Sequence, residues 1–159
     1  MKGEPTGFWG KLEQVESGEV LAWHPLLAHC ADVAAVTEAL LQHTLVRRRL
    51  AALARRDRIE DADVARLSAI AALHDIGKFN RGFQRKADPR ATNTAGHVRE
   101  VLALIGSSYR EHELLERALP TADLEQWNGE GGAFELLVAA IGHHGRPTRC
   151  DELAVDRSL

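Results

Sequence analysis

From Pro25 onward, apolar residues recur every three or four positions. Pro25 suits the first turn of a helix, and Leu26, His29, Val33, Val36, Leu40 and Thr44 then share one face. This predicts an amphipathic helix that Arg47 to Arg58 extends or closes. Asp61 or Asp63 caps the next helix, whose Val64, Leu67, Ile70, Ala71 and His74 point inward. Gly77 falls where a helix ends in a left-handed residue. Residues 79–94 hold Asn80, Gly82, Pro89 and Asn93 without a steady apolar period and read as a loop. A long helix follows from about Gly96 to Leu119, with Val98, Val101, Leu102, Ile105 and Leu115 inward and Pro120 as its stop. After a turn at Asn128–Gly132, Phe134, Leu137, Val138 and Ile141 form the inner face of a last helix. The pattern predicts an all-α fold, a compact helical bundle.

Composition agrees. Alanine and leucine number 24 and 21 against 22 for valine, isoleucine and threonine together, a balance that favours helix over strand. A chain of 159 residues, 45% hydrophobic and 27% charged, has the size and balance of one globular domain. Charged residues and histidines interrupt every apolar run well short of the roughly 18 residues a membrane span needs. Residues 1–11 lack the apolar core of a secretory signal. Cys30 and Cys150 form neither a metal-type pair nor a disulfide scaffold. The expectation is a cytoplasmic protein that makes no membrane contact.

The net charge of −3 conceals two basic clusters. Residues 47–58 carry six arginines against Asp57. Residues 78–90 carry Lys78, Arg81, Arg85, Lys86 and Arg90 against Asp88. For the first, a solvated helix face outweighs a binding role. The second adjoins the most chemically suggestive residues of the chain, and there the two readings balance.

Those residues are histidines, of which there are eight. His29 lies on the inner face of the first predicted helix, His74-Asp75 closes the second, His97 opens the long one and His143-His144 closes the last. Imidazoles converging at one end of a bundle, with a carboxylate to bridge two ions, suit a borderline divalent metal. A thiolate-bound structural zinc site does not fit, because Cys30 points about 100° round the helix from His29. Two such ions would bind a phosphate oxygen and generate hydroxide from water, without a protein nucleophile. His43 and His112 have the polar neighbours of surface residues.

The strings WHPLLAHCADVAAV at 23–36, ALHDIGKFNRGFQRK at 72–86, GH at 96–97 and IGHHGRP at 141–147 are similar to the HD superfamily of metal-dependent phosphohydrolases. More closely, they resemble the HD nuclease domain of the CRISPR-associated helicase-nuclease of type I systems. The resemblance implies that His29, His74, Asp75, His97, His143 and His144 are metal ligands, with Asp75 the bridge. The ions would be one or two divalent transition metals, with manganese, iron, cobalt or nickel ahead of zinc or magnesium. Asp75 and Lys78 would be the catalytic pair, the lysine contacting phosphate or its developing charge. Asp32 would orient the imidazole of His29, unless it is a plain surface carboxylate, and His24, one turn earlier, would support the same site. Lys78, Arg81, Arg85 and Lys86 would bind substrate, with Phe79 and Phe83 either stacking bases or pinning the loop to the core.

The implied activity is metal-dependent hydrolysis of DNA phosphodiester bonds by a single-strand DNA endonuclease in antiviral defence. Its partners would be single-stranded DNA, a helicase domain or subunit, and the CRISPR RNA-guided surveillance complex. The expected organisation is one HD nuclease domain over residues 1–159, without the C-terminal part of the full domain. The family's further downstream aspartate has only Asp151 and Asp156 as nearby substitutes. No G-x-x-x-x-G-K-[ST] phosphate loop of a helicase motor is found in these residues. Two alternatives stand beside this reading: an HD phosphohydrolase acting on a nucleotide, and a catalytically degenerate HD docking module.

Overall fold

The computed structural model describes residues 3–101, 117–118, 126–127 and 132–143. The expectations for His144, for Cys150, Asp151 and Asp156, and for the helix beyond Val101 lie outside the described residues.

The chain opens not with a helix but with a hairpin, so the all-α expectation is corrected to a mostly helical fold with a two-stranded sheet. Strand β1 (Trp9–Gln14) pairs antiparallel with β2 (Val20–Pro25). Two tryptophans and a valine explain it. Trp9, Val20 and Trp23 are buried together against Phe83, with Leu12 partly buried beside them. Wide aromatic and β-branched side chains on one face of a pleated ribbon are what a short strand accommodates best. The register sets Trp9 opposite Pro25 and Lys11 opposite His24, which leaves Gly10 as an extra, bulged residue. His24 therefore stands on a strand, not on a helical turn before His29.

Helix α1 (Leu26–Gln42) follows directly, and α2 (Thr44–Leu53) starts after His43. The expected single helix breaks there because His43 takes an extended conformation, φ −71° and ψ 120°. The inward stripe of α1 is also rotated from the expected one. Leu26, Cys30 and Leu41 are buried, whereas Val36 and Leu40 are exposed. Alanines 28, 31, 34 and 35 give α1 little bulk along its sides, and α3 (Asp61–Ala72) packs closely along it. Leu41, Ala51, Ile59 and Val64 close a small core where α1, α2 and α3 meet.

Two arginines of the first basic cluster serve this corner. Arg47 donates to Ile59 O at 2.6 Å and to Asp61 at 2.8 Å, and Arg56 reaches Asp63 at 3.0 Å. Asp63 in turn accepts from the Glu60 N–H at 2.9 Å, the return bond of a capping box. Burial raises the Asp63 carboxyl, but this backbone bond and Arg56 outweigh it and hold the pKa below 3.8. A depressed carboxylate contributes stability above its unfolded pKa and loses it as pH falls through the folded one. Asp63→Ala should therefore cost about 1 kcal/mol at neutral pH. The deficit should shrink as pH falls below the ordinary aspartate range, as urea unfolding at neutral and at acid pH would show.

After α3 the chain tightens into a 3-10 segment, Leu73–Phe79, then a short helix α4 (Arg81–Gln84) within the expected loop. Asn80 caps α4 by accepting from the Phe83 N–H at 2.6 Å. Gly77 is not left-handed. Its lack of a side chain matters because an added Cβ would lie 1.7 Å from the His97 carbonyl oxygen. Residues 99–101 are helical. Val101 packs with Ala133, Leu137 and Ile141 of α5 (Gly132–Ile141) in a further core. The two cores nearest the 3-10 segment hold it between the hairpin and α5.

Candidate metal centre

Histidines from four separate segments meet around one carboxylate. Asp75 is 2% exposed. Its Oδ2 lies 3.0 Å from His29 Nε2 and 3.1 Å from His74 Nε2; its Oδ1 faces His97 Nε2 at 3.4 Å and His143 Nε2 at 3.9 Å. Asp75 therefore belongs to two triads, His29–His74–Asp75 and Asp75–His97–His143, each with ligand atoms close enough to hold one ion. The 3-10 segment makes this possible: the tight turn after α3 carries His74 and Asp75 out of the helical register. His29 comes across from α1, His97 from the stretch before residue 99, and His143 from just past α5.

Several features of this cluster fit a divalent metal. His74 Nδ1 donates to Ala71 O at 2.9 Å, and His143 Nδ1 donates to Ala140 O at 3.1 Å. Each bond places the proton on Nδ1 and leaves the Nε2 lone pair turned toward Asp75, the tautomer a metal ligand needs. His29 and His74 bring their Nε2 atoms to 3.3 Å. Two nitrogens bound at right angles to one ion, with bonds of about 2.1 Å, would stand about 3.0 Å apart. Asp75 Oδ1 is buried without a hydrogen-bond partner among the described residues, an arrangement that costs free energy unless something else binds it.

The electrostatics point the same way. Burial holds the His29 pKa below 6.5; Asp75 pulls it up, but the charges of His74, Lys11 and Lys78 add to the lowering. The imidazole is thus neutral at pH 7 and free to ligate. Burial alone would raise the Asp75 carboxyl, but the hydrogen bond and charge of Lys78, helped by His74 and His97, hold it low and ionised. Burial, with the Asp75 charge second, pushes the Cys30 thiol up, so it stays a protonated core group.

The remaining sequence candidates separate. Lys78 Nζ lies 2.7 Å from Asp75 Oδ2 and 2.9 Å from Gly10 O, at 8% exposure. Arg81, Arg85 and Lys86 are exposed on α4 and just beyond it, with Lys86 Nζ 4.6 Å from the Phe83 ring centre. Phe83 is buried and pins the loop, while Phe79 is exposed and meets Phe8 at 5.2 Å between ring centres. Asp32 accepts from His24 Nε2 at 2.8 Å, and the His24 ring lies 6.2 Å from that of His29 in an edge contact, so the pair flanks the centre.

Three residues beside the centre were not picked out from the sequence. An added Cβ on Gly10 would lie 2.9 Å from His29 Cβ. Gln84 Nε2 donates to Trp9 O at 3.0 Å, and its Oε1 accepts from the Trp9 N–H at 2.9 Å. A glutamine just after a buried phenylalanine in ALHDIGKFNRGFQRK was the available signal. Trp9 and Gly10 gave none without the strand.

Comparison with known proteins identifies the family. No solved structure matches the chain. The family model "Cas3, HD domain" matches residues 9–158, from the first residue of β1 onward. The CRISPR-associated endonuclease/helicase Cas3 of Thermus thermophilus is 30% identical over 133 residues. That alignment covers 82% of this chain and 14% of the relative. With a carboxylate shared by two histidine pairs and a family match over almost its full length, the chain belongs to the HD-domain family of Cas3.

Proposed function

We propose that residues 1–159 act as one HD nuclease domain that hydrolyses phosphodiester bonds of single-stranded DNA with divalent metal ions. The observation that carries this reading is the sharing of Asp75 between two histidine pairs. His29, His74 and Asp75 Oδ2 would hold one ion; Asp75 Oδ1, His97 and His143, with His144 beside it in sequence, would hold the other. Bound ions would supply charge neutralisation at the phosphate and a water of lowered pKa. The protein's share is to keep Nε2 of His74 and of His143 unprotonated through the Ala71 and Ala140 carbonyls and to keep Asp75 ionised. Arg81, Arg85 and Lys86 place positive charge along one flank for the phosphates, and the exposed Phe79 offers a ring face to an unpaired base. His24 and Asp32 support the His29 side. The similar Thermus protein is named an endonuclease/helicase. This chain's partners are accordingly a helicase domain or subunit and a CRISPR RNA-guided complex.

The test is incubation with circular single-stranded DNA and Mn²⁺, Co²⁺ or Ni²⁺, with EDTA as control. Linear and shorter products that EDTA abolishes are expected, and double-stranded circles should persist. A folded protein that cuts nothing with any of these ions overturns the nuclease reading. Hydrolysis of free nucleotides in preference to DNA would replace it with a nucleotide phosphohydrolase.

A further inference from the structure

The hairpin is seated directly on the metal centre. Its bulged residue Gly10 lies against His29 and turns its carbonyl to Lys78. The neighbouring Trp9 is held on both backbone groups by the Gln84 side chain, and its indole N–H donates to Gln84 O at 3.1 Å. Gln84 also donates to Lys78 O at 2.6 Å. The ammonium of Lys78 has three donors. Two are taken by Asp75 Oδ2 and Gly10 O, and the Phe83 ring covers it at 5.5 Å. An ammonium so buried and so engaged is poorly placed to meet a phosphate arriving from solvent.

Building on the metal-centre reading, we propose that Lys78 is a positioning residue: it ties the Gly10 carbonyl of β1 to the Asp75 carboxylate and so couples the hairpin to the metal site. Held by Lys78 on Oδ2, the carboxylate keeps Oδ1 turned to His97 and His143. The string from Lys78 to Gln84 is in this view a receptor for the main chain of residues 9 and 10. Partners that orient a metal-bound carboxylate usually carry 10–100-fold in metal affinity.

Calorimetric titration of the metal-free protein with Mn²⁺, in the absence of DNA, tests this. Lys78→Met should bind Mn²⁺ about 10–100-fold more weakly and speed hydrogen exchange of amides 9–14. Its KM for single-stranded DNA and the salt dependence of that KM should stay as in the wild type. Lys78→Arg should not restore the affinity, because a planar guanidinium fork does not fit a site built for a point charge. Unchanged Mn²⁺ affinity with a raised KM, and a log–log salt slope shallower by about 0.7, would overturn the proposal in favour of a phosphate contact. Should Lys78→Met not fold, Gln84→Ala decides, since it leaves both side chains of the ion pair intact. Faster hairpin exchange with weakened Mn²⁺ binding supports the coupling; faster exchange with unchanged binding overturns it. Wild-type protein that binds no Mn²⁺ overturns the metal-centre reading itself, a failure separate from that of the variants alone.

Discussion

Asp75→Asn should reduce DNA cleavage by at least about 1000-fold, equivalent to roughly 4 kcal/mol of transition-state stabilisation. The size follows from the geometry. Asp75 is the one carboxylate common to both histidine pairs among the described residues, so its replacement removes the negative charge from two ligand sets at once. An asparagine of the same shape keeps one oxygen acceptor, but its neutral NH₂ group offers no lone pair to a cation and, turned to the Lys78 ammonium, sets donor against donor. Alanine is the poorer probe. It would leave the Lys78 ammonium, 8% exposed, without its partner, and stranding one member of a buried pair costs about 3–5 kcal/mol. Lost cleavage in that variant would mix chemistry with unfolding. Initial rates on circular single-stranded DNA, with the far-ultraviolet circular dichroism of both proteins as a check on folding, measure the effect. A rate for Asp75→Asn within about tenfold of wild type, a loss of no more than roughly 1.4 kcal/mol, would remove Asp75 from the centre of the mechanism.

Much of this centre was legible before the structure, for a physical reason. A histidine or aspartate at the end of an apolar helical run is placed by the helix, and helices are readable from period. The period sets His74, Asp75 and His143 at helix ends and His29 on an inner face, the family resemblance adds His97, and the structure brings these five together. What periodicity could not show is anything built from the main chain. The hairpin rests on Trp9, Val20 and Trp23 packing with Phe83, far away in sequence, and strands whose partner surface is so distant carry a weak local signal. The stripe of α1 was misjudged in the same way. Val36 and Leu40 fit the period and Leu41 does not, and only the packing of α2 and α3 on α1 decides which positions are covered. The family resemblance implies a catalytic, phosphate-contacting role for Lys78; that its ammonium meets a backbone carbonyl of β1 is information held by the hairpin alone. Gly77 is the same kind of case. Its place near a helix end suggested a left-handed turn, whereas the structure uses it for close approach.

That close approach makes Gly77→Ala the second large-effect substitution. The added methyl would stand 1.7 Å from the His97 carbonyl oxygen and 2.7 Å from its carbonyl carbon, where real Cβ contacts begin at 3.0 Å. Both are main-chain atoms, so no rotamer change relieves the contact and the two segments must part by at least about 1.3 Å. One of them carries His74 and Asp75, and the other carries His97. Separation of that size takes His97 Nε2 well beyond its present 3.4 Å from Asp75 Oδ1 and opens the core around Val101, whose Cγ1 would also lie 3.1 Å from the new methyl. Overpacking of this kind costs about 3 kcal/mol, which for a chain of this length lowers Tm by about 10 °C. The functional loss should be selective. The His29–His74–Asp75 group retains its spacing while the Asp75–His97–His143 group does not, so Mn²⁺ titration of the folded variant should show weaker binding at one class of site. Gly7→Ala, which adds a methyl into open space, should change neither Tm nor Mn²⁺ binding. A Gly77→Ala protein as stable as wild type and with the same Mn²⁺ isotherm would mean that the 3-10 segment and the residues before 99 are not held together by this contact, and that His97 is placed by something other than the glycine.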